Sequence, residues 1–127
     1  MARMMSSKER EWSAETVGRI DDLNIIVTGG ASGLGARISR ILAEKGGRIT
    51  IADIDTRGAG MVADEIRRSV PGAEPEVRRL DLGDLSSVER FSAAYRAEHD
   101  QLGLLLNNAG IMTPPYRTTA QGFESQW

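Results

Sequence analysis

The sequence predicts an α/β fold in which a parallel sheet carries helices on both faces, and three observations support that prediction. Short apolar runs rich in β-branched residues alternate with stretches of helical period. A glycine-rich turn joins the first run to the first helix, and an Asn-Asn turn closes the last run. Right-handed crossovers return such a chain to the same sheet, so about four strands in the order 3-2-1-4 are expected. The sheet is expected to be incomplete, with a crevice where the order reverses, between strands one and four.

The first strand is Asn24-Ile25-Ile26-Val27, entered at Leu23 and ended by Thr28-Gly29-Gly30. Residues 1–22 before it are polar apart from Trp12 and a few others, and are expected to form a disordered or surface-lying arm. From Gly33 the period changes. Leu34, Ile38, Ile41 and Leu42 fall on one face and Arg37, Arg40, Glu44 and Lys45 largely on the other, until Gly46-Gly47 stops the helix. Residues 49–53 read as the second strand, and Met61, Val62 and Ile66 as the buried stripe of a second helix that ends before Pro71-Gly72. Residues 76–80 form a weaker third strand. Residues 86–99 form a third helix, with Ser86 as N-cap, Glu89 three residues on, and Val88, Phe91 and Tyr95 turned inward. Residues 102–106 are the fourth strand, closing on Asn107-Asn108-Ala109-Gly110.

Composition narrows the function classes. With 127 residues, 40% of them hydrophobic, the chain suffices for one compact domain. Sixteen Lys and Arg against eighteen Asp and Glu give a net charge of -2 without a long block of one sign, which offers no footprint for a nucleic-acid or membrane partner. The absence of cysteine removes disulfides, thiolate nucleophiles and Cys-ligated zinc, and a single histidine, His99, argues against a His-rich metal site. The apolar runs are far shorter than the ~20 residues needed to cross a bilayer, and the Met-rich start lacks a signal-peptide core. A cytoplasmic location is expected.

The strongest motif is Thr28-Gly29-Gly30-Ala31-Ser32-Gly33-Leu34-Gly35, placed between the first strand and the first helix. Gly29 permits a tight turn, Gly33 lets the backbone approach a pyrophosphate, and Gly35 lets the helix pack closely on the sheet. Phosphates would sit on the helix N-terminus, where free N–H groups point. The spacing differs from G-x-G-x-x-G, and no Gly-Lys-Ser/Thr follows to suggest a P-loop. The plainer alternative is a strand-to-helix turn with no ligand. Asp53, eighteen residues beyond Gly35, ends the second strand where a carboxylate can accept hydrogen bonds from a ribose diol. Its charge opposes a 2′-phosphate, so NAD is expected ahead of NADP. Arg57 keeps NADP open, and Asp53 and Asp55 could also be loop carboxylates alone. A hydrolase built on that pair explains less.

These residues together resemble the short-chain dehydrogenase/reductase superfamily, over roughly residues 23–127. The turn at 28–35, the Asp81-Leu82 pair and Asn107-Asn108-Ala109-Gly110 carry the resemblance. Ile111-Met112-Thr113-Pro114-Pro115 and Gln121-Gly122-Phe123-Glu124-Ser125-Gln126-Trp127, with Trp12-Ser13-Ala14 upstream, look like its retinol-dehydrogenase-like branch. The resemblance implies that residues 23–127 are the N-terminal, coenzyme-binding half of a Rossmann-like domain. It further implies that Gly29, Ser32, Gly33 and Gly35 hold the coenzyme phosphates, with Leu34 along the inner side. Asp53 would take the adenosine ribose, Asp81 and Leu82 the adenine, and Asn107, Asn108, Ala109 and Gly110 the middle of the crevice. Apart from the resemblance, Asn107 and Asn108 read as a polar turn bonded to local backbone.

The same resemblance implies a catalytic tyrosine, a lysine four residues later, a serine and a helix asparagine, all expected beyond Trp127. Tyr95 and Tyr116 have His99 and Ala120 at the lysine position, so no catalytic residue is assigned in this chain. Tyr95 reads as core and Tyr116 as loop. Two functions stay open. One is an NAD(P)-dependent oxidoreductase acting on small alcohols or carbonyls in its complete form. The other is a catalytically silent fragment that at most binds nucleotide or a protein. The edge position of strand four, with Leu102, Leu104, Leu105 and Leu106 exposed, predicts marginal stability or self-association.

Overall fold

A computed structural model describes residues 12–126. In chain order the elements are β1 (Asn24–Thr28), α1 (Gly33–Glu44), β2 (Arg48–Asp53), α2 (Thr56–Ser69), β3 (Glu76–Arg79), α3 (Leu85–Glu98) and β4 (Leu104–Leu106), after a single 3-10 turn at Ala14–Thr16. The four strands are parallel and ordered β3-β2-β1-β4. The alternating pattern therefore built the expected α/β, Rossmann-like sheet, with helices on both faces.

Register decides which side chain meets which helix. Ile25 and Val27 of β1 share a face with Ile49 and Ile51 of β2, and pack with Ala43 of α1 and Ala59, Ala63 and Ile66 of α2. Ile26 and Ala52 face the other way and meet Leu80 and Tyr95, with Val88 and Phe91 packed beside them. Fully burying a Val, Leu or Ile side chain contributes roughly 1.5–3 kcal/mol, so the first cluster, with four Ile residues on three elements, carries the larger share.

The inward helix faces differ from the sequence expectation. Leu34 and Met61 are each 68% exposed, while α1 buries Gly35, Ser39 and Ala43 and α2 buries Ala59, Ala63 and Ile66. Where each helix lies closest on the sheet its midline is mostly small, Gly35, Ser39 and Ala43 in α1 and Ala59 and Ala63 in α2, with Ile66 filling the space one turn further on. Ile38, Ile41 and Leu42 are half-buried at the margin of α1, and Leu34 and Met61 point to solvent. The N-cap of α3 is Asp84, whose Oδ1 accepts the Ser86 N–H at 3.0 Å, rather than Ser86. The strands also shift: β2 starts at Arg48, β3 ends at Arg79, and β4 starts at Leu104. Gly103 N–H donates to Asn24 O at 2.9 Å, and Leu80 turns inward as a core residue.

Of the expected arm, residues 1–11 lie outside the described residues, as does Trp127. Residues 12–22 run along the surface. Ile20 and Asp22 donate their N–H groups to Lys45 O and Gly46 O at 2.9 and 3.2 Å, and Ile20 packs against the first cluster. At the far edge β4 pairs with β1, matching Leu104 to Ile25, Leu105 to Ile26 and Leu106 to Val27. Leu104 and Leu106 consequently pack against the first cluster, which corrects the expectation that all four edge leucines are bare. Leu105 is 47% exposed and Leu102 is also exposed. Both line a trough of about 380 Å³ beside Phe91 and Tyr95 of α3.

Candidate functional site

The C-terminal ends of the strands bring most of the singled-out residues to one edge of the sheet. Thr28 ends β1 and opens directly into the glycine turn, and the three glycines differ in what holds them. Gly29 has φ +66°, and a Cβ there would lie 2.8 Å from Ala109 Cα. A Cβ on Gly35 would meet Gly29 O at 2.3 Å and the Asn108 amide nitrogen at 2.5 Å. Gly33 has φ +53°, yet nothing lies within 4 Å of its would-be Cβ. Gly29 and Gly35 are thus accounted for by the fold itself. Gly33 needs glycine only for its left-handed backbone, and its outward side is open.

Ser32 is the N-cap of α1 but makes no side-chain cap bond, and Ser32, Gly33 and Leu34 are all exposed at the start of the helix. That end of the helix carries partial positive charge and open donors, the local chemistry that receives an anion. Leu34 lies exposed beside it.

Asp53 is tied to the turn. Its Oδ2 accepts the Ala31 N–H at 3.0 Å and its Oδ1 accepts the Asp55 N–H at 2.9 Å. Gly29 N–H donates to Ala52 O at 2.8 Å, so the end of β2 fixes the turn at two points. Each carboxylate oxygen has two acceptor directions, which leaves capacity for a hydroxyl donor. Asp55 acts elsewhere, capping α2 by accepting the Gly58 N–H at 2.9 Å. Arg57 sits exposed in the first turn of α2.

Asn108 binds the turn from the other side. Its side-chain amide donates to Thr28 O at 3.0 Å and to Gly29 O at 3.3 Å. Sequence reasoning missed Thr28, which is the hub of this crossing. Its Oγ1 accepts the N–H groups of Asn108 and Ala109, both at 3.1 Å, and donates to Leu106 O at 3.2 Å. A hydroxyl at a strand end, just before a glycine turn, was the available signal. Asn107 lines the apolar trough with Ile26 and Leu105, and Gly110 is open. The two asparagines therefore divide their roles, Asn108 holding backbone and Asn107 facing solvent.

Asp81 and Leu82 lie one strand further out. Leu80 N–H donates to Asp53 O at 3.1 Å and fastens the base of this segment to β2. Asp81 N–H donates to Ser87 Oγ, and Asp81 Oδ1 accepts the Gly83 N–H, each at 2.9 Å, forming a tight turn with Leu82 exposed at its tip. The Asp84 carboxyl is held below the usual carboxylate range, first by the Gln121 side-chain amide and then by the Ser86 N–H and the charge of Arg90.

Neither tyrosine joins this edge. Tyr95 is buried, stacked between Phe91 and His99, and burial pushes its phenol above the ordinary value. Tyr116 is exposed. At the opposite end of the sheet, ligand atoms of Glu76, Glu98 and His99 lie within 4.8 Å of one another. The Arg78 guanidinium pairs with Glu76 at 3.4 Å and with Glu98, so the group is a closed ion-pair network that ties α3 to β3.

Comparison with known proteins extends this geometry. A family profile described as short chain dehydrogenase matches residues 23–126. Human retinol dehydrogenase 12 is 41% identical over 101 residues, covering 80% of this chain and 32% of that protein. The chloroplastic short-chain dehydrogenase TIC 32 A of Brassica napus is 35% identical over 105 residues, covering 83% and 33%. The crystal structure of an uncharacterized protein from Mycobacterium paratuberculosis matches with a TM-score of 0.77 and 42% identity over 91% of this chain and 40% of that one. A metagenomic short-chain oxidoreductase in complex with NADP matches with a TM-score of 0.67 and 31% identity over 72% and 40%. The chain spans about a third of the length of the curated relatives it matches.

Proposed function

Because the chain belongs to the short-chain dehydrogenase family, we propose that residues 23–127 are the dinucleotide-binding half of an oxidoreductase that interconverts small alcohols and carbonyls. Residues 1–22 are assigned to a segment that precedes that unit in the chain. The observation that carries this reading is the open face at Gly33, beside the exposed N-cap Ser32 and one strand away from Asp53.

In this arrangement Gly29, Ser32, Gly33 and Gly35 shape the phosphate cradle, and Leu34 flanks it. Asp53 receives the adenosine ribose, Asp81 and Leu82 the adenine, and Asn107, Asn108, Ala109 and Gly110 border the crevice between β1 and β4. The nicotinamide coenzyme supplies the hydride chemistry when bound; this chain's residues bind and orient it. NAD is favoured over NADP, since the Asp53 carboxylate meets a ribose diol with acceptors and a 2′-phosphate with like charge. Arg57 is the residue that would support NADP.

The names of the relatives favour the retinol-dehydrogenase-like branch. No helix among the described residues is long and apolar enough to cross a membrane, and a cytoplasmic site belongs to the proposal. So does self-association through the β4 edge. A catalytically silent nucleotide-binding or interaction protein is the second reading, favoured by the absence of any Tyr-x-x-x-Lys in the 127 residues.

Calorimetry of the 127-residue chain with NAD and NADP tests the assignment. NAD is expected to bind on the order of tenfold more tightly, a difference of ~1.4 kcal/mol, and Asp53→Asn to narrow that gap. Absence of binding to either dinucleotide overturns the reading, and tighter NADP binding weakened by Arg57→Ala reverses the cofactor. No NAD-dependent alcohol oxidation is expected from this chain; turnover abolished by Gly33→Ala would refute that expectation.

A further inference from the structure

The 117–126 segment folds back as a small hairpin and grips the start of α3. Thr118 and Glu124 form an antiparallel bridge, Thr119 N–H donates to Phe123 O at 2.7 Å, and Gly122 turns the tip with φ +86°. Gln121 stands at that tip. Its Oε1 accepts the Leu85 N–H at 3.0 Å and its Nε2 donates to Asp84 Oδ1 at 2.9 Å. Its neighbour Ala120 donates its N–H to Gly83 O at 3.1 Å. The Leu85 amide belongs to the first turn of α3, where no intrahelical acceptor exists, so a residue 36 positions away completes the cap.

These contacts fall on the 81–84 turn. The other bonds that shape it are local: Gly83 N–H to Asp81 Oδ1, Asp84 N–H to Asp81 O, and Asp81 N–H to Ser87 Oγ. Bonds among near neighbours fix the turn's shape and join it to the start of α3, but do not by themselves tie it to the rest of the fold. Leu80 anchors its base to β2, and the hairpin anchors its other end at Gly83 and Asp84.

We propose that Gln121 is a positioning residue for adenine recognition, holding the 81–84 turn so that Asp81 and Leu82 are presented to the base at the end of β3. The inference rests on the dinucleotide reading above. A turn ordered before binding spares the ligand the cost of ordering it. Loss of the latch therefore weakens ligands that carry adenine and spares those that do not.

Titration of the 127-residue chain with AMP and with inorganic pyrophosphate separates the two. Gln121→Ala is expected to weaken AMP on the order of tenfold, the effect of losing one or two hydrogen bonds, with pyrophosphate affinity unchanged. Amide exchange at Leu85 should accelerate. Gln121→Glu sets a carboxylate against Asp84 and should weaken AMP likewise, whereas adding Asp84→Asn returns a donor to the pair and should restore it. Should Gln121→Ala fail to fold, that pair decides: recovery in the double variant supports the role, and no recovery overturns it. Wild type that binds AMP no better than Gln121→Ala, or a variant that loses both ligands equally, overturns it too. A wild-type chain that binds neither ligand fails the dinucleotide reading itself, and this inference with it.

Discussion

Replacing Gly35 by alanine drives a methyl group into the crossing of β1, α1 and β4. The added Cβ would lie 2.3 Å from Gly29 O, 2.5 Å from Asn108 Nδ2 and 3.0 Å from Gly29 C, against the roughly 3.5–4.0 Å that two carbons prefer. Gly29 cannot swing aside, because its N–H is bonded to Ala52 O at 2.8 Å and its φ is already +66°. Either α1 lifts from the sheet or Asn108 releases Thr28 O and Gly29 O. Overpacking costs about 1–3 kcal/mol, and each lost amide bond adds ~1 kcal/mol, so a loss of about 3–5 kcal/mol is expected. A domain of this size shifts by several degrees per kcal/mol, which makes the melting temperature fall by roughly 10–20 °C. Gly33→Ala is the matched control. Nothing lies within 4 Å of its Cβ, so it bears only the left-handed strain, roughly 1–2 kcal/mol, and its loss should appear in nucleotide affinity. Thermal and urea unfolding of both variants, followed by far-UV dichroism, measures the contrast. Gly35→Ala within ~1 kcal/mol of wild type, or Gly33→Ala equally destabilised, would refute the reasoning.

Thr28→Val keeps the shape of a buried side chain but removes the acceptor for the Asn108 and Ala109 N–H groups. Unfolding should show a loss of roughly 2–5 kcal/mol, and a value near zero would mean that these amides find other partners. Leu105→Lys charges the exposed face of β4. Sedimentation over a concentration series should show less self-association than wild type, with stability changed by under ~1 kcal/mol; unchanged association would place the contact elsewhere.

Much of the fold was legible because its signals are local. The change from an apolar strand run at Asn24–Thr28 to a 3.6-residue period after Gly33, and the stops at Gly46-Gly47 and Pro71-Gly72, fix strands and helices through short-range sterics and turn chemistry. Crossover handedness then carries those elements to the order β3-β2-β1-β4. Periodicity failed where packing distance mattered. Leu34 and Met61 suit an apolar stripe by spacing, but the turns of α1 and α2 nearest the sheet are filled by Gly35, Ala43, Ala59 and Ala63, and of the expected large residues Ile66 alone is fully buried.

By itself, then, the sequence determined that this chain makes a parallel α/β sheet with a glycine turn at its C-terminal edge, and which residues gather there. The tertiary structure decided what each one does. It made Gly35 a packing glycine and left Gly33 open, gave Asn108 to the backbone of Thr28 and Gly29, tied Asp53 to Ala31, and set Gln121 on the cap of α3. The reason is physical: backbone propensities act over a few residues, whereas these bonds join groups 22 to 80 positions apart and exist only after the sheet has brought the strand ends together.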